Sequence, residues 1–343
     1  MIPTIRDVAQ RAGVAPITVS RVINNSGYVS PDTRARVEAA IAELQYLPNT
    51  LASSFRWRKT RVLALVLTDI TNPFWTTVAR GVEDVANQHA FNVILCNTDE
   101  DEHKQMAYVR VLLQKRVDGF VLVPTQGAAE VAHLIQRRNV PLVVLDRQIP
   151  GVQVDVVRGD SEGGAYLLTQ RLIAQGHRRI AMLSGPAHIS TALQRVEGYQ
   201  RAMNQAGLPV AAELVHYGDY SQAGGYRAAQ KVLALVPRPT ALFAANNFIA
   251  LGALRAMREA GLYVPDDVSL VCFDDTPIWA DPDPFLTVAA QPAYLMGQHA
   301  TELLLARLSG QLPPEPHEVI LPVEIVMRRS VAAVQQEVYY EPS

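Results

Sequence analysis

The sequence has few of the features that mark secreted, membrane-spanning or metal-binding proteins. Only two of its 343 residues are cysteines, Cys96 and Cys272, and each stands inside an apolar run, which is typical of a buried reduced thiol. The eight histidines show no metal-ligand spacing. No apolar run reaches the ~20 residues of a membrane-spanning helix, and the stretch MIPTIRDVAQ does not resemble a signal peptide. We therefore expect a cytoplasmic protein that needs no metal ion or other cofactor and does not enter a membrane.

Motifs of nucleotide-dependent enzymes are also missing. The stretch GPAHIS at 185–190 is neither a G-x-G-x-x-G fingerprint nor a P-loop. No histidine is assigned a catalytic role, and no catalytic residue is predicted. We do not expect an enzyme.

The net charge of −2 hides an asymmetry along the chain. Residues 1–61 hold nine Lys or Arg against four Asp or Glu, a net of +5, so the remaining 282 residues carry −7. A small basic head on an acidic body favours a polyanion-binding module joined to a different domain.

The first 46 residues show the pattern of three short helices. TIRDVAQRAG has Thr4 as an N-cap and ends at Gly13, APITVSRVIN follows directly, and SPDTRARVEAAIAELQY opens with Ser30 as cap and Pro31 at the first helical position. Two helices joined by a tight glycine turn and braced by a third predict a helix-turn-helix domain over 1–46.

From residue 61 onward, apolar β-branched runs such as RVLALVLTDI, FNVILCNTD and VSLVCFDD alternate with amphipathic helical stretches. This alternation predicts an α/β body whose parallel strands are covered on both faces. Seven such runs exceed one compact sheet, and the pattern restarts near residue 160, so we expect two lobes with a cleft between them. Almost every run ends in polar residues, and the carboxyl ends of parallel strands are where ligands bind.

In combination, several motifs resemble the lactose/galactose repressor family of bacterial transcription regulators, over almost the whole chain to about residue 330. They include TIRDVAQRAGVAPITVSRVINN, NPFWTTVARGVEDVA, QKRVDGFVLVP, GHRRIAMLSGP and VPDDVSLVCFDD. The resemblance implies a helix-turn-helix that reads the major groove, a hinge helix that enters the minor groove, and a two-lobed body of the type I periplasmic-binding-protein kind. That body would bind a small-molecule effector, and a homodimer would bind a pseudo-palindromic double-stranded operator.

These considerations divide the chain into four parts. The DNA-binding domain spans 1–46, the hinge helix and linker 47–60, the effector-binding and dimerisation domain 61–330, and a C-terminal tail 331–343. Within the body, lobe 1 is expected at about 61–158 and 292–320, and lobe 2 at about 159–291 and 321–330.

The second helix carries the predicted base-reading residues. The spacing of Val19, Val22 and Ile23 turns three residues outward: Ile17, Thr18 and Arg21. Ile17 suits a thymine methyl group and Arg21 a bidentate contact to guanine, although a phosphate contact or a solvated position remains open for Arg21. In the resembled family the positions of Pro16 and Ile17 discriminate bases, while capping alone also explains Pro16. Phosphate contacts are expected from five more residues, Thr4, Thr18, Ser20, Asn24 and Tyr46.

The hinge carries a second predicted DNA element. Residues 49–56 fit a short helix that is stable only against a partner, and its expected DNA contacts are Asn49, Ala52, Ser53 and Phe55. The resembled family usually has leucine at the minor-groove wedge, where this chain has the bulkier Phe55. Packing of Phe55 on the body is the alternative.

The resemblance also assigns an effector site. Aromatic faces surrounded by Asp, Asn and Arg are typical of carbohydrate sites, and the matching positions are Asp69, Phe74, Trp75, Asp146, Arg147, Thr191, Arg195, Tyr220, Asn246 and Asp274. Purine-binding relatives carry an arginine where this chain has Ile189, so a sugar or sugar derivative is the preferred effector. Two alternatives remain. The ligand could be a corepressor such as a purine, or the chain could be a solute-binding protein without a regulatory role.

Overall fold

A computed structural model describes residues 3–46, 60–276 and 283–334. The chain divides between Thr60 and Arg61 into two compact units, which we call the head and the body. The predicted contacts Asn49, Ala52, Ser53 and Phe55, and the rest of the predicted hinge before Thr60, lie outside the described residues.

The head contains the three predicted helices, α1 (Ile5–Ala12), α2 (Pro16–Ile23) and α3 (Pro31–Glu43). At the start of α1, the backbone N and Oγ1 of Thr4 both donate to Asp7 Oδ2 at 2.7 Å. Gly13 ends α1 with φ 64°, a left-handed conformation that favours glycine. The second and third helices both begin with proline, whose missing N–H has no helical partner at that position. The helix-turn-helix prediction is confirmed.

The head core forms where the three apolar faces meet. Its buried side chains are Val8, Ala9, Ala12, Val19, Val22, Val37, Ala40 and Tyr46. Ile23 packs against this core while remaining partly exposed. The three-four spacing of Val19, Val22 and Ile23 therefore predicted the inward face of α2 correctly.

The body alternates strands and helices as expected. Its strands are β1 (Val62–Leu67), β2 (Asn92–Asn97), β3 (Gly119–Leu122), β4 (Leu142–Leu145), β5 (Asp155–Gly159), β6 (Ile180–Ser184), β7 (Val215–Tyr217), β8 (Ala241–Ala244), β9 (Ser269–Phe273), β10 (Thr287–Ala290), β11 (Glu318–Leu321) and β12 (Glu324–Val326). Its helices are α4 (Pro73–Gln88), α5 (Glu102–Gln114), α6 (Ala128–Arg137), α7 (Ser161–Ala174), α8 (Ser190–Gln205), α9 (Gln222–Leu233), α10 (Asn247–Glu259) and α11 (Ala293–Leu308), with a 3₁₀ turn at Ala212–Leu214.

These strands form two six-stranded sheets with the same layout. The first has the order β11-β5-β4-β3-β1-β2 and the second β12-β10-β9-β8-β6-β7. All pairs are parallel except β10 with β12. The first sheet and the helices around it are lobe 1, and the second sheet and its helices are lobe 2. The chain crosses between the lobes after β5, after β10 and after β11.

The end of the described chain is attached to lobe 2. Val334 N donates to Gln175 O at 2.9 Å, and Ala332 N donates to Ser269 Oγ at 3.1 Å. Residues 331–334, which the sequence analysis assigned to the C-terminal tail, are therefore held by hydrogen bonds from their backbone N–H groups to Gln175, directly after α7, and to β9. None of the described helices has the length and apolarity to cross a bilayer.

Candidate functional site

The outward face of α2 is built as its spacing predicted. Ile17 is 51% exposed, and Pro16 and Arg21 are exposed beside it, while Val19 and Val22 are buried beneath. Over the described residues, the Arg21 side chain has no hydrogen-bond or ion-pair partner. An exposed apolar side chain can contact a thymine methyl group, and an unpaired guanidinium one turn away can donate two hydrogen bonds to a guanine edge.

The other predicted head contacts have roles within the fold. Thr4 Oγ1 bonds to Asp7, and Asn24 Nδ2 donates to Ser20 O at 2.8 Å. Tyr46 is only 8% exposed and belongs to the head core. Thr18 and Ser20 are partly exposed on α2. Phosphate contacts by these residues stay predictions, and for Tyr46 the structure adds a packing role that the sequence reasoning missed.

The ten predicted effector residues all line one cavity of about 530 Å³ between the two lobes. They come from the carboxyl ends of strands and from the helices that follow them, as expected for open parallel sheets. The volume lies in the range of ligand pockets. Sequence reasoning missed further lining residues, among them Thr68, Asn72, Asp99, Glu100, Gln126, His188, Asp219, Ser221 and Phe248.

Two aspartates hold corresponding positions in the two lobes. Asp146 directly follows β4 and Asp274 directly follows β9, with φ of 66° and 68°. Both side chains are buried at the cavity. This left-handed conformation is uncommon outside glycine but is tolerated by Asp, and here it accompanies a buried carboxylate at the end of each strand.

In lobe 2, Arg195 extends from α8 toward the end of β9. Its Nη1 donates to Ala245 O at 2.6 Å and lies 3.7 Å from Asp274 Oδ2, and its guanidinium carbon lies 3.8 Å from the centre of the Phe273 ring. Asp274 Oδ1 accepts from Gln291 Nε2 at 2.7 Å. Asn246 caps α10, with its Oδ1 accepting from Ile249 N at 2.8 Å. These bonds fix the polar side chains before any ligand enters.

In lobe 1, Arg147 is held from two sides. It donates to both carboxylate oxygens of Glu100, at 2.8 and 2.6 Å, and to Pro124 O at 2.9 Å. Burial raises the pKa of Asp146 to about 6, against the opposing effects of Arg195 and Arg147. Burial likewise raises the pKa of the Asp274 carboxyl, and again Arg195 opposes it.

Four residues that line the cavity each have a buried polar atom without a hydrogen-bond partner within the described residues: Thr68 Oγ1, Asp146 Oδ1, Arg147 Nε and Arg195 Nε. Such atoms are costly to leave unpaired; one is an acceptor, two are donors and the threonine hydroxyl is both. A ligand that both donates and accepts would complement these side chains.

Aromatic rings line the same cavity. Phe74 and Trp75 stand in the first turn of α4, with ring centres 4.7 Å apart in an edge-to-face arrangement. Tyr220 Oη lies 3.3 Å from Thr191 Oγ1. A Cβ at Gly185 would lie 2.3 Å from the Tyr220 ring, so glycine is needed there for the ring to occupy this position.

The cavity has a surplus of acidic groups. Counted over its described lining residues, two guanidinium groups, of Arg147 and Arg195, stand against six carboxylates: Asp69, Asp99, Glu100, Asp146, Asp219 and Asp274. Lys104 and Arg227, which do not line the cavity, pair with Asp99 and Asp219, so the carboxylates exceed the nearby cations by two. Desolvating an anion beside this surplus is unfavourable. Within the described part of the chain, no group of three His, Cys, Asp or Glu side chains is arranged to hold a metal ion.

Together, an N-terminal helix-turn-helix and a two-lobed α/β body with an interlobe cavity define a DNA-binding regulator with a ligand-binding domain. Residues 4–49 match the family model of bacterial regulatory proteins of the lacI family, and residues 60–326 match that of periplasmic binding proteins and sugar binding domains of the LacI family. The chain therefore belongs to the LacI family of transcriptional regulators.

Individual members of this family match the chain over nearly their whole length. The chain is 36% identical to the HTH-type transcriptional repressor PurR of Aliivibrio fischeri, over 96% of this chain and 98% of that protein. It is similar to a lac repressor dimer bound to operator and an anti-inducer, with a TM-score of 0.85 and 30% identity, covering 97% of this chain and 100% of that one. It is also similar to the regulator CelR in complex with cellobiose, with a TM-score of 0.72 and 35% identity, covering 96% and 99%.

Proposed function

We propose that the protein is a transcriptional repressor whose affinity for a pseudo-palindromic operator falls when a neutral sugar binds between the lobes. The observation that carries the effector class is the set of four buried atoms without a hydrogen-bond partner in residues that line the cavity, Thr68 Oγ1, Asp146 Oδ1, Arg147 Nε and Arg195 Nε. A sugar hydroxyl both donates and accepts, so neighbouring hydroxyls suit this mixture of donors and acceptors.

Three further observations support a neutral sugar. The aromatic rings of Phe74, Trp75 and Tyr220 offer apolar faces for sugar C–H groups. The surplus of carboxylates opposes phosphorylated or acidic sugars. The similarity to CelR, which was solved with cellobiose, supports the same class.

A purine corepressor is the second candidate, in which ligand binding would tighten the DNA complex. Ile189 is 5% exposed and lines the cavity with an apolar side chain. It offers a purine no hydrogen bond at the position where purine-binding relatives carry arginine. This difference favours the sugar.

A homodimer is proposed because one helix-turn-helix covers only a half-site. The candidate contact face of this dimer is the edge strand β2 with the helix that follows it. Ile94 and Leu95 of the strand are 40% and 43% exposed, and Val111 of the helix is 50% exposed. Long apolar edge strands are usually protected. Sedimentation of the full chain and of Leu95→Asp tests this face: the dimer should dissociate in the variant.

The effector is tested by measuring the thermal unfolding of the full chain against pentoses, hexoses, disaccharides, sugar acids, sugar phosphates, nucleosides and purine bases. A cavity ligand raises the midpoint by mass action. We expect a neutral sugar to raise it, and the same sugar to weaken binding to an operator selected with the protein. A rise with purines alone, or tighter DNA binding, would support the corepressor instead.

A further inference from the structure

Three neighbouring strands of lobe 1 are each preceded by basic residues. Arg61 precedes β1, Lys115 and Arg116 precede β3, and Arg137 and Arg138 precede β4. The sheet order β4-β3-β1 makes these strands adjacent, about 4.8 Å apart. We call these five residues the basic edge. Because the carboxyl ends of the strands line the cavity, the basic edge lies at the opposite end of the lobe.

Much of this charge is available to a partner. Lys115, Arg137 and Arg138 are exposed, and over the described residues they make no hydrogen bond or ion pair through their side chains. The Arg61 side chain lies beside the Phe91 ring, with its guanidinium carbon 5.9 Å from the ring centre.

The acidic groups before or at the strand starts of this lobe number four among the described residues, and three of them are engaged. Asp118 accepts from Arg61 N at 2.7 Å, and Asp155 is held by both Nε and Nη2 of Arg307 at 2.6 and 2.7 Å. Glu318 pairs with Arg158 at 2.6 Å, and Glu315 precedes it in the chain. The lobe therefore has a positive end and an acidic cavity end, although the body as a whole is negative.

Helix capping alone accounts for part of the pattern. Lys115 and Arg138 are the C-caps of α5 and α6, and Arg137 ends α6, where cations are favourable. Lobe 2 also has exposed basic residues in the last turns of its helices, at Arg171, Lys231 and Arg258. Basic residues also precede the strands of lobe 2, with Arg178 and Arg179 before β6 and Arg238 before β8, next to the acids Glu213, Asp266 and Asp267. Lobe 2 therefore carries comparable charge at its helix and strand ends, and it provides a control for position, because the body begins at Arg61, in lobe 1.

We propose that the basic edge binds phosphates of the DNA that the head recognises. The body begins at Arg61, within the basic edge itself, and the DNA-binding family model ends at residue 49. The 14 residues from 47 to 60 join the head to the body at the basic edge and span at most about 50 Å when fully extended, so DNA held by the head is tethered to the body at this edge. Like other phosphate contacts, these add affinity without reading sequence. The inference rests on the DNA-binding function stated above.

The test compares two triple variants of the full chain. Lys115→Gln/Arg137→Gln/Arg138→Gln removes three charges from the basic edge, and Arg171→Gln/Lys231→Gln/Arg258→Gln removes three from the matching helix ends of lobe 2. Binding to a labelled random-sequence 40-bp duplex, and to an operator selected with the wild-type chain, is titrated between 50 and 300 mM salt. Circular dichroism and thermal unfolding establish that both variants are folded.

We expect the lobe 1 variant to lose about tenfold or more in affinity for both duplexes at low salt. The slope of log affinity against log salt concentration should also decrease in magnitude by about one or more. The lobe 2 variant should stay within about twofold of wild type. Equal losses in both variants, or no loss in the lobe 1 variant while the wild type binds its operator, would overturn this inference and leave the DNA-binding function intact. Failure of the wild-type chain to bind any duplex would overturn both.

Discussion

Asn72 and Asn247 exchange two side-chain hydrogen bonds across the cleft. Asn72 Nδ2 donates to Asn247 Oδ1 at 3.0 Å, and Asn247 Nδ2 donates back to Asn72 Oδ1 at 2.8 Å. Both residues are buried, and they stand at the starts of α4 in lobe 1 and α10 in lobe 2. The pair therefore holds the lobes together beside the cavity, and both members also support a helix start, through Phe74 N and Phe248 N.

Removing one member of this pair should destabilise the body. In Asn247→Ala the buried Asn72 amide loses its partner, and we expect a loss of about 1–3 kcal/mol in the free energy of unfolding by urea. Asn72→Asp keeps the acceptor that caps α4 but replaces the donor with a buried charge, so it should also destabilise. A coupling energy near zero between Asn72→Ala and Asn247→Ala in a double-mutant cycle would contradict a stabilising interaction between these two side chains across the cleft.

Arg195→Ala should abolish the effector response while leaving operator binding unchanged. The side chain supplies an unpartnered donor at the cavity and sits beside Asp274, far in sequence from the head. The measurement is the effector-induced shift in unfolding midpoint, together with operator affinity with and without effector. Arg201→Ala is the matched control, because Arg201 lies on the same helix in an exposed pair with Glu162. Retention of a wild-type response in Arg195→Ala would remove this residue from the site.

Arg21→Ala should lose discrimination at one base pair in each half-site. A bidentate arginine-guanine contact is worth about 1–3 kcal/mol of discrimination, so affinity for the selected operator should fall about 5- to 150-fold for each half-site, multiplied over the two half-sites, while binding to random DNA changes little. Arg36→Ala, an exposed change on α3 outside the reading helix, serves as the control. Equal losses on operator and random DNA would instead make Arg21 a phosphate contact.

The parts of this structure that were predictable depend on local periodicity. The inward residues of α2 follow from their three-four spacing, and β1 and β9 from their continuous apolar runs, because both sheet faces are covered. The central strand β5 was missed, since it contains Asp155 and Arg158. These polar residues are tolerated because Arg307 pairs with Asp155 and Glu318 with Arg158.

Contacts between distant segments could not be predicted from local pattern. Asn72 and Asn247 are 175 residues apart, and nothing in either neighbourhood indicates the other. The effector residues were identified because a family resemblance supplied their positions. Their bonding partners, such as Glu100 for Arg147, required the folded chain.

The stability of the body should depend on pH through Asp146. Burial raises the pKa of this carboxyl from 3.8 to about 6, so between these values the folded state binds more protons than the unfolded state. Stability from this group is therefore greatest below about pH 4, falls as pH rises to about 6, and is then constant, with a total change of about 3 kcal/mol. Relative to wild type, the free energy of unfolding of Asp146→Asn should therefore increase from pH 4 to 6 and then stay constant. The control Asn246→Ala, which changes no charge, should differ from wild type by the same amount at every pH. A hydrogen bond from an effector hydroxyl to Asp146 is stronger when this carboxylate is ionised, so effector affinity should rise over the same interval. A flat profile in both measurements would show that Asp146 does not titrate there.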